Sequence, residues 1–246
     1  MRKNFRLTIE YDGSGFCGWQ RQKNDRTVQG VIEAAIAVMI GQPVTLIGSG
    51  RTDAGVHALG QTANFVCETE LTATILERGL NSLLPDDVVI RRCDPADESF
   101  HARFNVISKI YQYRILNRDI PAAVGRHYCW FVRRKLDLEA MRTAAGHIVG
   151  SHDFKAFEGA GSPRSSTVRQ VLRAEWRRPE PDQLVFEIEA DGFLRFMVRN
   201  LVGTLVEVGG GKFAPEDFRR ILLSADRNQA GPTAPARGLF LMEVKY

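Results

Sequence analysis

The sequence predicts an α+β protein. It is expected to consist of two split-βαβ halves side by side, forming a mixed, mostly antiparallel sheet with helices on one face and a central cleft. Three observations lead there. Period-2 alternation and helical apolar stripes succeed one another as β-α-β-β-α-β through the first half. The same plan recurs in the second half without repeated sequence. At 246 residues, 44% hydrophobic and 25% charged, the chain is long enough for one large domain or two small ones around a proper core.

Phe5, Leu7 and Ile9 alternate with Arg6, Thr8 and Glu10, which predicts a half-buried strand. The glycine-rich stretch from Tyr11 to Gln22 is a loop. Its aromatics and amides either meet a base or sugar, or Phe16 and Trp19 plug into the core. Thr27 can cap a helix whose stripe is Val28, Ile32, Ala35, Ile36 and Met39, ended by Gly41 and Pro43. The run from Val44 to Ile47 reads as a buried strand and Thr62 to Val66 as another, so Ser49 to Ala58 is a loop between strands. A helix from Thr72 to Leu83 carries Leu76, Leu80 and Leu83 and is stopped by Pro85; Val88 to Arg91 is a further strand. That order is the ferredoxin-like arrangement.

The second half opens with a strand at Lys109 to Arg114, with Tyr111 and Tyr113 on one face. Arg118, Arg126, Arg133, Arg134 and Lys135 then interleave with Tyr128 and Trp130. That pattern serves looped RNA or, equally, a solvated strand edge. Asp137 caps a helix reaching Val149, and Gly159 to Ser166 forms a loop rich in small residues. Strands over 168–176 and 184–190 flank the turn Glu180-Pro181-Asp182. After Gly192 a helix carries Leu194, Met197, Val198, Leu201, Val202 and Leu205, with Arg195 and Arg199 as an i,i+4 pair, and ends at Gly209 to Gly211. A short helix from Pro215 to Leu223 and a final strand to Val244 close the chain. Residues 1–105 and 106–246 are the expected domains.

Composition bounds the partners. Thirty-three basic and 29 acidic residues leave a net charge of +4, too small to imply a polyanion by itself. The basic residues are 26 Arg and 7 Lys, a bias that suits phosphate and base contacts and also follows from a GC-rich genome. The four cysteines fall outside metal or disulfide-framework spacing, so reduced thiols are expected. The N-terminus lacks a signal-peptide pattern and no apolar run approaches membrane-spanning length, so a cytoplasmic protein without membrane contact is expected.

The stretch richest in chemistry is Ser49-Gly50-Arg51-Thr52-Asp53-Ala54-Gly55-Val56-His57-Ala58. Its glycines permit positive φ and close approach of a ligand, and Arg51 and Asp53 share a side if the segment is extended. On spacing alone it is also an ordinary turn closed by Thr52 or Asp53. Asp53 and His57 lack further ligands at metal spacing.

Gly50 to His57 resembles, without a gap, the active-site motif of the tRNA pseudouridine synthase A family. Further segments resemble that family's motifs: Tyr11 to Gln20, Asn81 to Pro85, Phe100 to Arg103, Lys109-x-Tyr111-x-Tyr113, Gly150 to Phe154, Met197-Val198-Arg199-Asn200, and Ala234 to Leu239. The resemblance implies an isomerase that converts uridine to pseudouridine in the tRNA anticodon stem-loop, at nucleotides 38 to 40. It needs no cofactor and no metal. Asp53 would be the catalytic carboxylate, as nucleophile or as base; Arg199, with Arg51 beside it, would keep Asp53 ionised; Tyr111 would lie against the target base. Leu239 or Leu241 would close the pocket, His57 would belong to the substrate site, and Arg21, Arg103, Arg164 and Arg169 would bind tRNA. Arg195 and Phe196 depart from the family pattern, and a homodimer is implied. Two rival readings are a non-catalytic RNA-binding protein of RRM-like architecture and a carboxylate-dependent glycosidic hydrolase. The latter needs a second facing acid that no motif supplies.

Overall fold

In the computed structural model, residues 2–161 and 166–246 are described. The tip of the loop expected at Gly159 to Ser166, Arg164 included, lies outside them. The chain forms an α+β fold whose packing separates two units: residues 1–107 with Phe240–Tyr246, and Ser108–Leu239.

The first unit contains β1 (Arg2–Tyr11), α1 (Val28–Ile40), β2 (Ile47–Gly48), β3 (His57–Glu68), α2 (Ala73–Leu83) and β4 (Val88–Ala96). β4, β1, β3 and β2 are neighbours in that order, all antiparallel, which is the order a split-βαβ chain adopts. The last strand, β10 (Leu239–Lys245), runs parallel to β3, pairing Phe240 with His57. Phe5, Leu7 and Ile9 are buried as their alternation predicts, with Phe5 against Phe65 across the ladder. Thr27 and Thr72 cap α1 and α2 through their hydroxyls, and Gly41 closes α1 at φ +77°.

Two first-half elements differ from expectation. Of the first apolar run only Ile47 forms a strand, together with the Gly48 that follows it. The backbone of Leu46 is instead satisfied by side chains of α1: its N–H donates to Glu33 Oε1 (3.0 Å) and its carbonyl accepts from Gln29 Nε2 (3.0 Å). β3 in turn begins at His57, inside the expected loop, because β10 offers it a partner there.

The second unit contains β5 (Ser108–Asn117), β6 (Trp130–Val132), α3 (Leu138–Gly146), β7 (Gly150–Asp153), β8 (Val168–Glu180), β9 (Gln183–Ala190), α4 (Met197–Gly209) and α5 (Pro215–Ser224). β5, β9, β8 and β7 pair antiparallel in that order, and β6 runs parallel to β5. The short strands β6 and β7 are additions to the expected plan. α4 starts at Met197 rather than just after Gly192, because Phe196 sits at φ +60° and breaks helical continuity. Arg195 therefore precedes the helix, and the expected i,i+4 relation with Arg199 does not exist. Its guanidinium donates to the carbonyl of Ala160 (2.7 Å).

Candidate active site

Asp53 opens a four-residue turn. The N–H of Val56 donates to the Asp53 carbonyl (3.1 Å), and Gly55 takes φ +78° at the position where a type II turn needs a glycine. The carboxylate-bearing residue is half-buried. The turn is braced from the stretch after β1. Trp19 N–H donates to the Thr52 carbonyl (3.1 Å), and Gly55 N–H to the Phe16 carbonyl (3.4 Å). The hydroxyls of Tyr11 and Thr52 share a buried hydrogen bond of 2.7 Å. Thr52 therefore does not close a local turn with its side chain but ties the loop to β1. Burial pushes the Tyr11 phenol well above its usual range, so it stays neutral and keeps that bond.

Glycines permit the close fit. A side chain at Gly13 would put its first carbon 2.0 Å from the Val56 carbonyl oxygen, and one at Gly18 (φ +94°) would put it 2.7 Å from the Thr52 oxygen. Phe16 and Trp19 are buried, Trp19 packing closely against Gly48, so these two aromatics belong to the core rather than to a ligand surface. On the other side of the turn, Ser49 Oγ donates to Gln61 Oε1 (2.7 Å) and Gln61 Nε2 donates to the Gly50 carbonyl (3.1 Å).

The remaining first-unit candidates are placed as follows. Arg51 is exposed and its Nε donates to Gln20 Oε1 (3.0 Å). His57 is only 1% exposed; its Nδ1 accepts from Gly13 N–H (3.1 Å) and its ring stacks on Phe240 (4.7 Å), so it braces the turn from beneath. Arg21 forms an ion pair with Glu33 (2.9 Å), and Arg103 lies 5.5 Å from the Phe104 ring.

In the second unit Tyr111 and Tyr113 project to the same side of β5, and both are buried. The Tyr111 ring meets Phe193 edge-on at 5.0 Å. Tyr113 donates to the Pro235 carbonyl (2.7 Å) and its ring covers Gly238. Arg199, half-buried on α4, donates from Nε to the Ala234 carbonyl (2.8 Å), while its own carbonyl accepts from Ala234 N–H (3.0 Å). Its guanidinium lies 5.0 Å from the Phe196 ring. Tyr113 and Arg199 thus hold the segment 234–239 in place, ending in the buried Leu239. The structure brings Tyr113, Arg199 and this segment together within one unit. Arg169 is turned onto the carbonyls of Ser166 and Val168 beside Gly192.

Sequence reasoning did not single out Gln61 or Phe193. Gln61 lay just before the expected strand at Thr62, and Phe193 is brought in by a partner distant in the chain. The glycine pattern of 11–22 was the available signal for the loop that clasps Asp53.

Among the described residues no helix is long and apolar enough to cross a membrane. The family model for tRNA pseudouridine synthase matches residues 7–105 and 144–246. Curated relatives called tRNA pseudouridine synthase A are similar from end to end. The protein from Acetivibrio thermocellus is 47% identical over 99% of this chain and 100% of its own length. That from Thermoanaerobacter sp. (strain X514) is 46% identical over the same shares, and that from Ruminiclostridium cellulolyticum 42% identical over 100% of both. Among solved structures, a chain of the archaeal box H/ACA sRNP Nop10-Cbf5 complex covers 92% of this chain and 60% of its own, at 12% identity and a TM-score of 0.35, too remote to bear on the site. The chain belongs to the tRNA pseudouridine synthase family.

Proposed function

We propose that this protein isomerises uridine to pseudouridine in tRNA, at nucleotides 38 to 40 of the anticodon stem-loop, as a cytoplasmic homodimer. The observation that carries the reading is the Asp53 turn. A half-buried carboxylate is held by backbone bonds and a buried hydroxyl pair, within an octapeptide that matches the family motif. The reaction breaks the N1–C1′ bond, turns the base and joins C5 to C1′; the C5 proton leaves and N1 takes one up. A carboxylate at the sugar starts it, as nucleophile at C1′ or as base for elimination.

Each assigned residue has a role. Asp53 acts at the sugar, and Arg199 and Arg51 supply positive charge that keeps it ionised. Tyr111 covers the detached base and Leu239 closes the pocket. Arg21, Arg103, Arg164 and Arg169 take phosphates. The target uridine leaves its stack at a cost of about a few kcal/mol, offset by backbone contacts. Asp53→Asn keeps the size and removes the charge. It is expected to bind tRNA and form no pseudouridine, as read by chemical mapping of treated tRNA. Turnover comparable to the unaltered protein would overturn the assignment.

A further inference from the structure

Among the described residues, Asn24, Phe196 and Ala225 take a positive φ without being glycine. Asparagine tolerates the left-handed region, and Ala225 closes α5, where that conformation is common. Phe196, at φ +60° and ψ 2°, is different: it is bulky, and at the start of α4 its side chain caps nothing. Its neighbours enforce the conformation. The Arg195 carbonyl accepts from Gly159 N–H (2.8 Å) and the Phe196 carbonyl from Asn200 N–H (2.9 Å). Asn200 is fully buried and donates from Nδ2 to the Phe157 carbonyl (2.8 Å). Such strain persists only where the surroundings over-determine it, and it gathers at functional sites.

What the conformation achieves is the placement of a ring. Phe196 lies against buried Gly159, where any side chain would collide with it, so the ring is seated on backbone. The guanidinium groups of Arg195 and Arg199 lie over that ring, 4.7 Å and 5.0 Å from its centroid, within cation–π range. Arg195 is also held by the Ala160 carbonyl (2.7 Å), and Arg199 by its Nε bond to the Ala234 carbonyl (2.8 Å). The Nε bond places the Arg199 guanidinium, and the ring beside it sets the plane.

We propose that Phe196 is a positioning residue for Arg199, its ring fixing the plane and reach of that guanidinium. The proposal rests on the reading above, in which Arg199 keeps Asp53 ionised, and deepens it by naming what aims the charge. A helix start that needed only the positive φ would be better served by glycine or asparagine, which adopt it without strain. The ring is what those residues lack.

The test uses the full-length protein and tRNA; kcat and KM for pseudouridine formation, tRNA affinity and Tm are read on each variant. Phe196→Asn suits the backbone and removes the ring. Phe196→Leu keeps bulk on Gly159 and removes the π face, and Phe196→Tyr keeps both. Phe196→Asn and Phe196→Leu are expected to lose about ten-fold in kcat, the scale of one partly buried cation–π contact, with KM and affinity unchanged. Phe196→Tyr is expected to retain kcat. In an Arg199→Gln background Phe196→Leu should cost nothing further, since a residue acting through Arg199 has nothing left to position. Full kcat in Phe196→Leu, or an undiminished further loss in the Arg199→Gln background, overturns the proposal. So does a loss that appears in KM instead, or one that tracks a fall in Tm across the variants. A readout without turnover is the Arg199 Nε–H nuclear magnetic resonance, assigned by its absence from Arg199→Gln. The ring shields it, so it should move in Phe196→Leu and hold in Phe196→Tyr; an unmoved signal in Phe196→Leu refutes the contact. The two failures separate. Full turnover by Arg199→Gln beside a Phe196-dependent signal means that the reading of Arg199 fails and the placement stands; impaired Arg199→Gln beside unimpaired Phe196→Leu means that positioning alone fails.

Discussion

Replacing Gly13 by Ala tests whether the Asp53 turn is positioned by backbone contact. The added methyl would lie 2.0 Å from the Val56 carbonyl oxygen and 2.5 Å from its carbon, whereas real contacts of this kind essentially never fall under 3.0 Å. The two backbones must then separate by at least 3.0 − 2.0 = 1.0 Å, and no side-chain rotation relieves the clash. Val56 N–H bonds the Asp53 carbonyl at 3.1 Å, so the displacement passes directly to the carboxylate-bearing residue. Overpacking of this type costs about 1–3 kcal/mol, which in a chain of this size lowers Tm by about 2–12 °C. Misplacing a reacting group by about 1 Å costs about a hundred-fold in rate. The control is Gly41→Ala, at φ +77° with open space around it, which adds about 1–2 kcal/mol of backbone strain far from the turn. Single-turnover pseudouridine formation and calorimetric Tm, measured on both variants, separate the effects. The two should lose comparable stability, and only Gly13→Ala should lose activity. Equal activity in the two variants would refute backbone positioning of Asp53.

Alkaline pH should unfold the protein through its buried acids. Burial raises the Tyr11, Tyr113 and Tyr246 phenols above their ordinary 10.0 and pushes the Cys93 thiol from 9.0 up to about 12. Between the unfolded and folded values the native state holds more protons, so these groups' stabilisation is complete below about pH 9 and falls as pH rises beyond it. Ultraviolet absorbance of tyrosinate should show Tyr11, Tyr113 and Tyr246 ionising only as the fold is lost. Their titration near the ordinary value in folded protein would contradict this. Arg199→Lys keeps the charge but loses the Nε bond to Ala234 and the planar contact with Phe196. Its kcat should fall by about one to two orders of magnitude with little change in KM; an unchanged kcat would mean that charge alone suffices at this position.

Much of the fold was legible because its signals are local. Thr27, Thr72 and Asp137 cap the helices that their sequence context predicts, since a cap needs only the next three N–H groups. Burial of Tyr111 and Tyr113 on one side of β5 follows from the two-residue period of any strand. The misses have non-local causes. The Val44–Ile47 run lost most of its strand because the amide of Gln29 and the carboxylate of Glu33 reach Leu46 from α1. The start of α4 was misplaced because nothing in a stripe of apolar residues encodes the positive φ of Phe196.

By itself the sequence determined the family, through a contiguous octapeptide around Asp53, and the order of strands and helices, through periodicities that hold over a few residues. Only the tertiary structure decided what each loop side chain does. It sent Trp19 into the core beneath Gly48, bound the Thr52 hydroxyl to Tyr11, buried His57 against Phe240, and left Phe104 standing in solvent. The reason is physical. A loop residue's environment is set by the element that packs on it, and in a sheet of this topology that element is as distant in sequence as Phe240 is from His57.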